Sequence, residues 1–226
     1  MYRKQLLALA GLAGIGGMLL SAPASAATVT VGLQEAGVNS GAITNEGSSF
    51  NGSYGTFTAN ISNGLGQSTP TNLLSAQSLN VSGSTAGVLN VFVTVSDLTS
   101  PLGLLNFMSS FTENVLDPGL SVQMTTYLSS ANALFTGVEL NGRGFTSIGT
   151  AILSNSGDTG TGPYSITANF MIVSDSSVGT ASSTIAVSST TPLPGTLPLF
   201  AGGLGLVGML VRRRKQKGVV ARSAIA

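Results

Sequence analysis

Between residues 27 and 191 the chain alternates apolar residues with Ser, Thr and Asn at a period of two. That period belongs to a strand with one wet face and one buried face. The runs are Val29 to Leu33, Tyr54 to Ile61, Val88 to Val95, Val122 to Met124, Phe145 to Leu153, Tyr164 to Ile172 and Thr184 to Val187. Thr, Val, Ile and aromatic residues dominate them and suit a half-buried pleated surface. Turn-forming clusters separate them: Asn39-Ser40-Gly41, Asn51-Gly52, Asp117-Pro118-Gly119, Asn141-Gly142 and the loop from Asp158 to Pro163. Short strands at this spacing, with no helices between, predict an all-β domain, an antiparallel sandwich or jelly roll. Leu104, Phe107, Met108, Phe111 and Val115 have helical spacing, yet Leu105, Phe107, Phe111 and Val115 also alternate. Strand neighbours on both sides favour a strand. No internal repeat of fixed period is visible, which excludes solenoids and propellers.

The ends of the chain follow other rules. Arg3 and Lys4 precede an uncharged run from Leu6 to Leu20, and Ala24-Ser25-Ala26 supplies a small-x-small cleavage site. Residues 1–26 therefore read as a secretory signal, handled by the Sec translocon and signal peptidase, with the mature chain starting at Ala27. At the other end, Ser188 to Thr191 reads as a polar linker into Pro192-Leu193-Pro194. Gly195 to Val211 is an uncharged run of 17 residues, the lower limit for a spanning helix. Arg212, Arg213, Arg214, Lys215 and Lys217 follow, a cluster that resists translocation and holds residues 212–226 on the cytoplasmic side. The expected organisation is thus a signal peptide at 1–26, an extracytoplasmic β domain at 27–187, a linker at 188–194, a span at 195–211 and a basic tail.

Residues 192–217 resemble the PEP-CTERM sorting signal of Gram-negative bacteria, in which a Pro-Glu-Pro motif precedes a Gly-rich membrane helix and an Arg-rich stop. Leu193 stands here in place of the Glu. The resemblance covers 26 residues and implies that an exosortase processes the protein. The product would pass from the inner membrane to the cell surface or an extracellular matrix such as a biofilm, where exopolysaccharide is a natural neighbour. Leu193-Pro194-Gly195-Thr196 also fits four positions of a sortase motif, but Leu197 occupies the place of its Gly. Gly202, Gly205 and Gly208 recur every three residues, which suits either docking on the processing enzyme or the ordinary Gly content of membrane helices.

Charge sharpens this division. Only 8% of residues are charged, against a typical quarter. All eight acids lie between Glu35 and Asp175, where Arg143 is the one base, so the domain carries 1 − 8 = −7. A field of that sign excludes nucleic acid as a partner. The chain has no Cys, His or Trp, which removes disulfides and the side chains of zinc, haem and most copper or iron sites. No cofactor is expected; calcium alone fits the remaining oxygen donors, with Asp158 and Asp175 as candidates.

The middle also holds no Lys, so His-, Cys- and Lys-based nucleophile sets are absent. Paired carboxylates would have to come from Glu113 with Asp117, or Glu35 with Glu139. Scattered solvated acids are the plainer reading, and no catalytic residue is expected. A structural or adhesive surface domain comes first, a carbohydrate-binding module second and an acidic-residue hydrolase third. Sugar-binding modules stack ligands on exposed aromatics, and here Tyr54, Tyr127 and Tyr164 are the candidates. The Ser and Thr content fits O-glycosylation less well than the wet faces of strands.

Overall fold

A computed structural model describes residues 27–64, 72–83, 85–175 and 178–190. The expected signal peptide, the expected sorting motif with Pro192, Leu193 and Pro194, and the expected span and basic stop lie outside the described residues, as do Ala24 and Ala26. Among the described residues no helix is long and apolar enough to cross a membrane.

Among the described residues there are twelve strands: β1 Thr28–Glu35, β2 Thr44–Gly47, β3 Phe50–Tyr54, β4 Phe57–Gly64, β5 Asn72–Gly83, β6 Gly87–Leu98, β7 Leu104–Leu116, β8 Leu120–Ser129, β9 Val138–Phe145, β10 Gly149–Asp158, β11 Tyr164–Ser174 and β12 Gly179–Thr190. They make two six-stranded antiparallel sheets, ordered β2-β1-β6-β11-β8-β9 and β10-β7-β12-β5-β4-β3. From β5 onward, strands adjacent in sequence mostly fall in opposite sheets, giving β5-β12-β7-β10 over β6-β11-β8-β9. That arrangement is jelly-roll-like.

Alternation decides each face. Along β12, Ala181, Ser183, Ile185, Val187 and Ser189 are buried, and the Thr, Ser and Ala between them are partly open. In β7, Leu105, Phe107, Ser109, Phe111 and Glu113 point inward. Phe57, Phe107, Phe111, Tyr164 and Phe170 are the largest fully buried side chains. A polar bridge crosses the core: Ser109 Oγ lies 2.9 Å from Thr126 Oγ1 and accepts from Asn141 Nδ2 at 3.0 Å.

Several expectations need correction. Residues 104–116 are indeed a strand, but Val115 is exposed. The expected strand from Tyr54 to Ile61 is two strands around a turn at Gly55-Thr56. Phe145 to Leu153 likewise breaks between β9 and β10. Asn51-Gly52 and Asn141-Gly142, read as turns, lie inside β3 and β9. Ser188 to Thr190 belong to β12 rather than a linker, because they pair with Met108, Phe107 and Asn106 of β7 and Ser189 is buried.

The true turn at Gly55 carries a testable constraint. Its φ is +58°, and an added Cβ would fall on the Glu35 carboxylate and 2.8 Å from Val38 Cγ2. That carboxylate accepts from the Thr56 backbone N–H at 3.1 Å and the Thr56 hydroxyl at 2.6 Å, tying β1 to the β3–β4 turn. Gly55→Ala is therefore expected to cost about 2 kcal/mol, from left-handed backbone strain and displacement of Glu35. Urea unfolding checks it.

Candidate functional site

The carboxylate pairs expected from sequence do not form. Glu35 on β1 and Glu139 on β9 are four strand steps apart in one sheet and on different cross-strand rows, so more than about 19 Å separates them. Glu35 is buried and used at the Thr56 turn. Glu113 and Asp117 are four residues apart along an extended chain, about 13 Å. Glu113 points into the core, where Ser183 Oγ donates to its Oε2 at 2.6 Å and its Oε1 has no partner. Burial pushes its carboxyl up to about 7, against the Ser183 and Ser182 hydrogen bonds that pull it down. Asp117 instead accepts from the Thr180 N–H at 2.8 Å. Asp158 and Asp175 flank opposite ends of β11, roughly 35 Å apart, so they share no cation site. Among the described residues no group of three or more acids is placed to hold a metal ion.

The candidate tyrosines divide similarly. Tyr54 is buried and donates to the Leu33 carbonyl at 3.1 Å. Tyr164 is fully buried, and burial pushes its phenol up to about 12. Neither is available for a sugar. Tyr127 is half-buried, on the outer face of the first sheet.

That outer face has two halves. The loop 130–137 folds across one: Ser165 Oγ donates to the Ala133 carbonyl at 2.6 Å, and the Phe135 N–H donates to Thr94 Oγ1 at 3.2 Å. The Phe135 ring sits 5.9 Å from Phe92 and over Gly32, where a Cβ would meet it at 2.9 Å. The other half is a shallow polar apron. Register aligns Tyr127 with Glu139, Thr125 with Gly142 and Asn169, and Gln123 with Gly144. A Cβ on Gly144 would meet Gln123 Oε1 at 2.8 Å, and one on Gly142 would meet Glu139 Oε1 at 3.0 Å. The two glycines thus make room for these polar heads. Asn169 Oδ1 is buried there without a hydrogen-bond partner. The apron offers amide, hydroxyl and carboxylate groups to a hydroxyl-rich ligand. Sequence reading missed it because Asn141-Gly142 imitates a turn; alternate glycines within a strand were the available signal. Beside it, Glu139 and Asp158 line a cleft of about 240 Å³ at the β9–β10 seam, with Ser130 and Ser156.

The outer face of the second sheet is different. Its register makes cross-strand rows: Ser53-Thr58-Ser82-Thr180, Asn51-Asn60-Asn80-Ser182 and Thr150-Thr112-Thr184. Hydroxyls meet along them at 3.3 Å, between Thr112 and Thr150 and between Ser82 and Thr180. None of these residues is charged.

No protein-family model matches the chain, and no curated protein matches it. Among solved structures, it is similar to the enzymatically active domain of tailspike protein 4 of bacteriophage CBA120, at 12% identity and a TM-score of 0.37 over 72% of this chain. It is also similar to TmCBM61 solved with β-1,4-galactotriose, at 9% identity, TM-score 0.31 and 62% of this chain. A third is the arabinose-bound MgGH51 α-L-arabinofuranosidase, at 12% identity, TM-score 0.32 and 62% of this chain. The likeness spans 92% of TmCBM61 but 19% of the tailspike chain and 23% of the arabinofuranosidase. At these scores none of the three lends its activity to this chain.

Proposed function

We propose that this chain is an exported bacterial surface or matrix protein, processed by an exosortase, whose β domain adheres rather than catalyses. The observation that carries the adhesive reading is the second sheet's outer face, where uncharged rows of Ser, Thr and Asn run across β3, β4, β5 and β12 and a third row runs across β10, β7 and β12. A flat array of hydroxyls and amides meets neutral, hydroxylated surfaces without the desolvation cost of ions. The two terminal segments support export and sorting. Catalysis has little support, since Glu35, Glu113 and Asp117 are occupied in holding the fold together.

Glycan binding on the apron is the second reading, favoured by the unpartnered Asn169 Oδ1 beside Thr125, near the half-open Tyr127. Two measurements test the proposal. The intact mass of protein recovered from cells should start at Ala27 and end near Pro194; a mass running to Ala226 in the inner membrane sinks the sorting reading. Beads carrying the mature protein should adhere to neutral polysaccharide films, and Thr112→Lys with Asn80→Lys should reduce retention about tenfold. Unchanged retention sinks the role of this face.

A further inference from the structure

The sandwich has four edge strands, and three are blunted in ways that discourage pairing with another chain. β2 is four residues long, contains Glu46 and meets β1 through a register shift. β3 is five residues long. β9 carries Glu139 and Arg143 and meets β8 through a bulge. The fourth, β10, has none of these devices. It pairs with β7 over ten residues without a register shift, has no proline, and has no charge before Asp158. Ile152 is 63% exposed at its middle, and the inward-facing Leu153 remains 37% exposed because the core is open at this edge.

We infer that β10 is a docking edge for a second copy of this chain, paired antiparallel about a twofold axis at Ile152. Asn155 closes the strand's later half: its Nδ2 donates to the Leu140 carbonyl and its Oδ1 accepts from the Ser156 N–H. The free segment is Gly149–Ser154. A twofold at Ile152 sets Thr150 opposite Ser154 and Ala151 opposite Leu153, with no charge facing charge. Elsewhere two copies of a domain of net charge −7 repel each other, so the uncharged edge is where they can approach. A strand-edge contact of this length is small, and its Kd falls at roughly 10–1,000 μM.

The topology also fixes which copies meet. β10 and β12 are both antiparallel to β7, so they run the same way. Antiparallel β10 pairing therefore sends the two Thr190 ends in opposite directions. Four residues, 191–194, separate Thr190 from the expected span and reach about 14 Å, whereas β12 is about 40 Å long. Neighbours in one membrane cannot pair this way. Copies on facing cells, or released copies, can. This last step rests on the surface reading proposed above.

Sedimentation equilibrium of the mature protein up to about 1 mM should reveal a dimer, weakened at least tenfold by Ile152→Lys and unchanged by Ser53→Lys on the opposite edge. A monomer throughout, or equal association by I152K, overturns the proposal. The chain has no Cys, so single replacements report the register. With a bis-maleimide, Ile152→Cys should cross-link to itself, and T150C should cross-link efficiently only when mixed with S154C; absence of both products overturns the twofold. Cells displaying the protein should clump, and I152K should abolish it. If the dimer forms in solution but wild-type cells do not clump, the edge stands and the surface reading fails; clumping that survives I152K removes the edge.

Discussion

Phe107→Ala should cost about 3–5 kcal/mol and lower Tm by roughly 10 °C, whereas Met108→Ala, one residue on, should cost under about 1 kcal/mol. Phe107 is fully buried in the middle of β7, between partners on β10 and β12. Its ring lies 3.1 Å from where a Cβ on Gly157 would be, so its removal opens a hole that backbone on β10 cannot fill. Met108 is 42% exposed on the outer face. The effect is large in relative terms, because a domain of this size is stable by about 5–15 kcal/mol and this one has no disulfide to restrain its unfolded chain. Urea unfolding of both variants gives the comparison directly. Similar losses would mean that the inward face of β7 is misassigned.

That pair of residues also marks how far the sequence could be read. Leu104, Met108 and Phe111 suggest a helix, but Leu105, Phe107 and Phe111 share the parity of Ser109 and Glu113, and parity prevails in the fold. β6 and β11 were legible for the same reason, being runs of Val, Ile, Thr and aromatics, whereas only Thr184 to Val187 of the twelve-residue β12 was. β5 was not: Leu73 and Leu74 are adjacent, which breaks the alternation, and both are buried. Turn chemistry misled twice, because Asn-Gly is tolerated inside the edge strands β3 and β9, where pairing on one side leaves the backbone free to flex. The candidate apron was hidden because it is assembled by register, which brings Gln123, Tyr127 and Asn169 together from strands more than about 40 residues apart in sequence. Solvation of the acids was misjudged for Glu35 and Glu113, although Glu113 has the parity of the core phenylalanines.

Glu113 yields the other large effect. Its carboxyl, at about 4.5 when solvated, is raised to about 7 in the fold, chiefly by burial. The folded state therefore holds a proton there that the unfolded chain releases above pH 4.5. Between those values the native state binds more protons, so wild-type stability falls as pH rises, by on the order of 3 kcal/mol in full. The contribution is intact below about pH 4.5 and gone above about pH 7. Glu113→Gln removes the ionisation while keeping a carbonyl to accept from Ser183 Oγ. Its amide then occupies the place of the unpartnered Oε1, at a cost of about 1 kcal/mol that does not vary with pH. The variant should thus be slightly less stable than wild type at pH 4 and more stable by about 2 kcal/mol at pH 8, with the curves crossing at about pH 5. Denaturant titrations at four pH values measure it. Parallel curves would mean that Glu113 keeps its charge in the fold, held by groups that its two serine hydrogen bonds do not include.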